Sequence, residues 1–270
     1  MSQFMYDPDP RVDHAIRVIK STYGDSVSVR NKEKDILKFG RNDKLGTTRA
    51  TIMLFEGNET QETDLNDNSI DSLVCTDATF TGAVAVEGHY FQDGVRVFTV
   101  QIVTMNGQTP VPLTTPLGFI TRIANASASN LAADTDRVFG YVSTGTTVTS
   151  GVPSPTSKIH ILFTGKDNQS RKCATALSNV DYWIVTKIYG GILKKTSSSV
   201  DFSLQIKELG GVFRTREQMA VNSLGETFAE VNFDPFLIVP KNAIIRMEGE
   251  ASDANVSAIA GIHGYLAITS

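Results

Sequence analysis

Hydrophobic and polar residues alternate with a period of two along much of the C-terminal half of the chain. In the stretch 199–209 the apolar residues Val200, Phe202, Leu204 and Ile206 occupy every second position, with polar residues between them. A period of two is typical of an extended strand with one buried and one solvated face. We therefore predict a strand here. The strands predicted as its partners in an antiparallel sheet are 180–188, 227–233, 243–250 and 256–269.

The same alternation predicts extended structure in the first half of the chain. Segments 81–90 and 95–105 are separated by Asp93-Gly94, a strong hairpin signal because glycine accepts the positive φ of a type I′ turn. Asn106-Gly107 predicts a second turn of the same kind. The returning strand places three apolar residues on one face: Phe98, Val100 and Ile102. Further short strands are predicted at 50–55, 72–74, 119–124, 137–142, 158–163 and 172–177.

These elements predict an all-β protein with two β-sandwich domains and an N-terminal arm. The predicted N-terminal sandwich spans residues 46–143. Residues 144–157 are rich in Thr, Ser, Gly and Pro, which is the composition of a linker or an extended surface loop. The second sandwich would then span residues 158–270.

Residues 1–45 are polar and charged apart from one short apolar cluster. Asp13 is a good N-cap and predicts a short helix through Lys20, with a β-arm as the alternative. The run 30–44 mixes basic and acidic residues. It fits either an arm that clips onto a neighbouring acidic surface or a solvated leader with an apolar anchor at 36–39, and mixed charge runs are commonly solvated.

Composition and charge restrict the class of protein. The chain has 270 residues, of which 41% are hydrophobic and 20% charged, as in a folded globular protein. A formal net charge of −4 argues against a general nucleic-acid binder. No apolar run approaches the roughly 18–20 residues of a membrane span. The first residues lack the basic-then-apolar pattern of a secretion signal, so we expect folding in a cytosol.

Motifs for chemistry are missing from the sequence. Cys75 and Cys173 are far apart and predict buried free thiols rather than a disulfide framework or a zinc site. The histidines lack metal-ligand spacing, and no GxSxG, SxxK or Gly-rich phosphate loop is present. Glutamates are numerous, but nothing selects a catalytic pair among them. We therefore predict no catalytic residue, no cofactor, no metal and no enzymatic activity. The four histidines are His14, His89, His160 and His263.

One aromatic group deserves separate consideration, because β-sandwich modules that bind polysaccharides usually expose a row of aromatic rings. Tyr182, Trp183 and Tyr189 are close together in the sequence. On a regular strand Trp183 and Tyr189 would share one face and Tyr182 would lie on the other. The large apolar area of each ring favours a core or subunit-interface role over a sugar platform.

Several segments resemble one known group of proteins. They are Lys38-Phe-Gly-Arg-Asn with Gly46-Thr-Thr and Ile52, then Thr164-Gly-Lys-Asp-Asn-Gln-Ser, and finally Arg246-Met-Glu-Gly-Glu-Ala-Ser-Asp-Ala-Asn-Val-Ser-Ala with Gly264-Tyr-Leu-Ala-Ile. In style and spacing they resemble structural proteins of tailed bacteriophages, especially marine ones. Proteins of that group pair an N-terminal β-domain with a C-terminal jelly-roll-like domain. The resemblance covers the last part of the chain, from about residue 160, and a short patch near residue 40.

The resemblance implies a virion structural protein with a jelly-roll-like C-terminal domain. The expected role is that of a capsid decoration or cement protein, a homotrimer on the outer surface of a particle assembled in the host cytoplasm. Its expected partner is the major capsid protein, or neighbouring tail proteins, with no nucleic acid and no membrane. A tail or neck adaptor, a fibre or a receptor-binding component is the alternative. A carbohydrate-binding module, or less readily an enzyme acting on host glycans, is a third class.

Overall fold

Two antiparallel β-sandwiches account for most of the computed structural model, which describes residues 10–25, 27–29, 36–53, 67–193 and 198–269. The first elements are helix α1 (Pro10–Tyr23) and strands β1 (Val27–Val29), β2 (Ile36–Leu45), β3 (Ala50–Thr51), β4 (Ile70–Cys75), β5 (Ala83–Gln92), β6 (Val95–Thr104), β7 (Val111–Leu117), β8 (Phe119–Asn125) and β9 (Arg137–Tyr141). The remaining strands are β10 (Thr147–Thr149), β11 (Val152–Ser154), β12 (Ile159–Thr164), β13 (Ala174–Ala176), β14 (Asp181–Ile192), β15 (Ser199–Lys207), β16 (Arg214–Asn222), β17 (Phe228–Val239), β18 (Ile244–Ala251) and β19 (Val256–Thr269). The predicted all-β class is confirmed.

The first sandwich packs a sheet of order β12-β9-β4-β7 against a sheet of order β6-β5-β8. Inward residues such as Leu73, Val86 and Phe163 form its core. A side chain joins the two sheets at one edge, because the Gln101 amide donates to the Thr115 carbonyl and accepts from the Thr115 N–H, both at 2.8 Å. This pair of hydrogen bonds imitates a backbone ladder, so the backbone N–H and carbonyl of Thr115 on β7 are satisfied from within the chain.

The hairpin predicted at Asp93-Gly94 is confirmed. Strands β5 and β6 pair in register from Ala83 opposite Thr104 to Gln92 opposite Val95. Asp93 and Gly94 have φ of 52° and 78°. Both values are in the left-handed region that a type I′ turn requires, which explains why this dipeptide sets the register.

The second sandwich packs two larger sheets around the main core. One sheet has the order β1-β19-β14-β17, with β2 also paired to β19, and the other has the order β13-β18-β15-β16, with β3 paired to β18. Trp183, Phe202 and Ile262 are buried between the sheets. A core role for Trp183 is therefore confirmed.

Helix α1 forms a third layer on the outer face of the β14-containing sheet. Ala15 and Ile19 of the helix pack on Tyr182, Ile184 and the rest of a small apolar cluster. The helix begins at Pro10 and ends at Tyr23, so the helical alternative for the arm is confirmed, with Asp13 inside the first turn rather than at the cap. The helix covers only one end of this sheet face.

The strand predicted at 199–209 is confirmed as β15, but most of its predicted partners are wrong. It pairs with β16 and β18. Strands β14, β17 and β19 exist as predicted and pair with one another in the facing sheet. Alternation reports that a strand has one buried face, and strands of both sheets bury a face in the same core. It therefore does not say which sheet a strand joins.

The strand pairing also locates the residues around the predicted domain boundaries. Strand β2, from the range assigned to the arm, pairs with β19 of the second sandwich. Strands β10 and β11 form a hairpin inside the predicted linker. Strand β12 pairs with β9 of the first sandwich. The division into domains at residues 45, 143 and 157 stays a prediction. The first part of the mixed-charge run 30–44, residues 30–35, lies outside the described residues.

Candidate functional site

The buried charges of the molecule serve mainly to join its parts. The backbone N–H of Arg96 in the first sandwich donates to the Asn242 side-chain oxygen at 2.9 Å, and its Nε donates to the Asn242 carbonyl at 3.1 Å. Lys172 Nζ donates to the Ile120 carbonyl at 2.8 Å and lies 4.2 Å from the centre of the Phe119 ring. Burial of a cation costs free energy unless the cation has a partner. Arg96 and Lys172 find these partners across the junction of the two sandwiches, so the contacts hold the sandwiches together.

A second buried charge pair lies on β18. Arg246 Nη2 is 2.7 Å from Glu248 Oε1, and the guanidinium stacks 3.6 Å from the centre of the Phe213 ring. The Gln205 side-chain oxygen accepts from the same guanidinium at 2.9 Å. Burial raises the pKa of Glu248, against the opposing effect of Arg246 and Arg49. Both charged side chains are almost fully buried, so this cluster is enclosed by the fold and offers no surface to a substrate.

The cysteines and histidines that the sequence singled out lie apart from one another. Cys75 and Cys173 are buried free thiols, and burial raises the pKa of Cys75 to about 11. His89 is buried beside the Phe98 ring, and His160 is buried on β12, whereas His14 is exposed on α1. Across the described ranges no three His, Cys, Asp or Glu residues come close enough to hold a metal ion.

Two exposed surfaces remain as candidate sites, and the first is an apolar stripe on β6. Phe98, Val100 and Ile102 are 42%, 54% and 64% exposed. The sequence predicted that these three residues share one face, and the structure shows that this face is the outer one. Exposed β-branched and aromatic residues in a row are a common feature of interaction surfaces. We call these three residues the β6 stripe.

The second surface lies on the outer face of the β14-containing sheet, at the end that α1 leaves uncovered. Three aromatic residues from three strands lie on this face: Phe39 on β2, the half-buried Tyr189 on β14 and Phe228 on β17. The Tyr189 and Phe228 rings are nearly parallel, at an angle of 29°, with their centres 5.8 Å apart. We call these three residues the aromatic platform.

A β-bulge explains why Tyr189 is at the surface although Trp183 is in the core. The pairing of β14 with both neighbours shifts between Val185 and Lys187. The extra residue, Thr186, reverses the faces of all later residues on the strand. The prediction that Trp183 and Tyr189 share a face is therefore wrong. Tyr182, under α1, is buried in agreement with its predicted core role.

Phe39 and Phe228 were not recognised from the sequence as companions of Tyr189. The sequence predicted a strand at Phe228, but it assigned Phe39 to the apolar anchor of the arm, and only the strand register brings the three together. Phe39 is opposite Gly261, Gly261 is opposite Tyr189, and Phe228 is opposite Gly191. A signal was present in Gly191 and Gly261, because a glycine on a strand often marks close approach of another group.

No helix of the described part of the chain is long and apolar enough to cross a membrane.

Comparison with known proteins gives no family. No family model matches the chain. No curated protein matches it either. Weak likenesses to solved structures include a family 22 carbohydrate-binding module of Clostridium thermocellum Xyn10B, with a TM-score of 0.23 and 14% identity over 36% of this chain. This chain spans only 64% of the length of that module.

Two other weak likenesses cover more of this chain. The infectious bursal disease virus VP2 subviral particle matches with a TM-score of 0.20 and 13% identity over 97% of this chain and 77% of that one. Eiger TNF from S. frugiperda matches with a TM-score of 0.18 and 11% identity over 72% of this chain and 90% of that one. At TM-scores this low, none of these likenesses supports an argument about function.

Proposed function

We propose that the protein is a virion structural protein of a tailed bacteriophage, a capsid decoration or cement protein that binds and stabilises the head shell. The observation that carries this proposal is the β6 stripe. It places Phe98, Val100 and Ile102 side by side in solvent on the outer face of a sheet. Apolar residues in such a row gain free energy only when a partner covers them, at about 25 cal/mol per Å² of apolar surface removed from water.

The form of the stripe indicates how the partner would bind. In the described residues β6 pairs only with β5 and is an edge of its sheet, but the apolar residues of the stripe project from the sheet face and not from that edge. Docking in this proposal uses the side chains of the face. In this proposal the first sandwich contacts the major capsid protein, and the many copies on a shell act together through avidity.

The second sandwich supplies the self-association in this proposal. In the described residues β16 pairs only with β15, and β17 pairs only with β14, so each strand is the edge of its sheet. Edge strands are natural contacts between symmetric copies. We propose a homotrimer formed through this sandwich, located on the outer surface of the particle and assembled in the host cytoplasm, with no enzymatic activity.

The experiment is a binding assay with purified components. Head particles that lack this protein are mixed with the purified chain and sedimented, and the oligomeric state of the free chain is measured by light scattering. We expect saturable co-sedimentation with heads and a mass of three chains of 29.3 kDa each. Co-sedimentation with isolated tails instead of heads would support a tail or neck adaptor, fibre or receptor-binding role and refute the decoration role.

A further inference from the structure

The aromatic platform is flat, and two glycines make it so. A Cβ atom on Gly261 would lie 2.2 Å from the Tyr189 ring carbon Cζ, and one on Gly191 would lie 3.2 Å from the Phe228 ring. The Tyr189 ring thus lies across the backbone of β19, and the Phe228 ring lies close over that of β14. Any larger residue at Gly261 would force the Tyr189 ring to stand up from the sheet.

Polar side chains surround the rings. Lys187 Nζ is 3.6 Å from Glu230 Oε2, and the Asn232 amide donates to the Glu230 carboxylate at 3.4 Å. On the other side of the platform Arg41 pairs with Asp43 at 2.7 Å. These side chains are part-exposed and already oriented by their mutual contacts. They place hydrogen-bond donors and acceptors beside an exposed aromatic surface.

Among the described residues the charges of this rim balance. Each cation there has an anionic partner, as Lys187 has Glu230 and Arg41 has Asp43. A ligand that carried a net charge would find no uncompensated opposite charge on these described side chains. The rim therefore favours a neutral ligand that is rich in hydroxyl groups.

The charged side chains beside the rings argue against a second copy as the occupant. A stable protein interface removes about 800 Å² of surface from each partner and has few charged residues in its core. Apolar surface extends beyond the rings on this face, since Leu37 and Leu193 are 46% and 47% exposed. The ion pairs Lys187–Glu230 and Arg41–Asp43 nevertheless lie beside the rings and are unlike the core of such an interface.

We propose that the aromatic platform binds a neutral saccharide chain. One face of a sugar ring presents C–H groups, and these are attracted to the negative face of an aromatic ring. A sugar on the Tyr189 and Phe228 rings would direct its equatorial hydroxyls outward, towards Lys187, Glu230 and Asn232. The proposal is independent of capsid binding, since it concerns a different sandwich from the β6 stripe.

Affinity electrophoresis tests this proposal with defined probes. The full chain is run through native gels that contain hydroxyethyl cellulose, yeast mannan or arabinogalactan, and through a gel without polysaccharide. We expect retardation in at least one polysaccharide gel. Tyr189→Ala and Phe228→Ala are each expected to weaken binding by on the order of tenfold, whereas Tyr189→Phe keeps the ring and retains binding.

Phe98→Ala is the matched control. Phe98 is a phenylalanine of similar exposure to Phe228, but it lies on the first sandwich. We expect this variant to bind polysaccharide as the unchanged chain does, and circular dichroism melting of every variant shows whether it is folded. Because two ring positions are tested separately, failure of one variant to fold leaves the other as a test.

Three results would overturn the proposal. The first is that the unchanged chain is not retarded in any of the three polysaccharide gels. The second is that the Tyr189→Ala and Phe228→Ala variants are retarded as strongly as the unchanged chain. The third is that either variant dissociates an oligomer of the chain. The last result would make the platform an interface between copies. Binding to heads is measured separately, so loss of saccharide binding with intact head binding refutes only this inference, and the reverse result refutes only the decoration role.

Discussion

The β6 stripe gives a quantitative prediction about binding to the head shell. The double variant Val100→Thr with Ile102→Thr keeps a β-branched residue at both positions and so keeps their preference for a strand. It replaces apolar surface by hydroxyls where a partner is expected. Val100 and Ile102 are 54% and 64% exposed, so more than half of each side chain remains to be buried on docking.

The size of the effect follows from these exposures. Full burial of a Val or Ile side chain contributes about 1.5–3 kcal/mol. When this range is multiplied by the exposed fractions of the two side chains, Val100 and Ile102 together contribute roughly 2–3.5 kcal/mol to docking. With 1.4 kcal/mol for each factor of ten, loss of this whole contribution weakens head binding roughly 30- to 300-fold for each contact. Threonine keeps one methyl group, so this range is the upper limit for the double variant.

The assay is co-sedimentation with heads over a range of protein concentrations, together with urea unfolding of each variant. Because both positions are at the surface, the free energy of unfolding should change by no more than about 0.5 kcal/mol. Val212→Thr is the control, since Val212 is 69% exposed on the second sandwich. Unchanged head affinity of the double variant, or an equal loss in the control, would refute the role of the stripe.

Two further predictions concern the stability of the fold. A Cβ atom on Gly190 would lie 2.6 Å from the buried Phe202 ring, whereas one on Gly225 would meet nothing within 4 Å. Gly190→Ala should therefore lower the free energy of unfolding in urea by about 1–3 kcal/mol, and Gly225→Ala should not; equal effects would contradict the packing described here. Burial, with lesser effects of nearby cations, lowers the pKa of His89 to about 3 and that of His160 to about 4. The unfolded histidines titrate near 6.5, so stability should fall as the pH drops from about 6.5 towards 4, by up to about 1.4 kcal/mol per pH unit for each residue. His89→Gln should remove about half of that slope in urea unfolding at a series of pH values, and an unchanged slope would show that His89 is not kept neutral in the fold.

The sequence predicted the local elements well, because each depends on residues close together in the chain. The alternation of Val200, Phe202, Leu204 and Ile206 gave strand β15. The dipeptide Asp93-Gly94 gave a hairpin with its register. Both follow from backbone and side-chain preferences that act over a few residues.

The arrangement of the strands could not be predicted in the same way. Strands β15 and β19 bury a face in one core, yet they belong to opposite sheets. The edge strand β16 was not predicted, because most of its residues are polar and only Met219 and Val221 mark its inward face in the sequence. Which sheet a strand joins depends on contacts between residues far apart in the chain.

The aromatic platform shows how one local irregularity can hide a candidate site. Counting by twos along β14 places Tyr189 with Trp183 in the core, and the bulge at Thr186 moves Tyr189 to the surface. Phe39 and Phe228 join it only through strand register. The glycines opposite them were visible in the sequence, but their meaning depends on which rings lie above them.

Imaging of the intact virion tests the central claim most directly, since it locates the protein and counts its copies. The decoration role predicts many symmetric copies across the head, each with the β6 stripe of the first sandwich against the major capsid protein. A ring of few copies at the neck or tail, or a head-bound copy whose β6 stripe faces solvent, would contradict it.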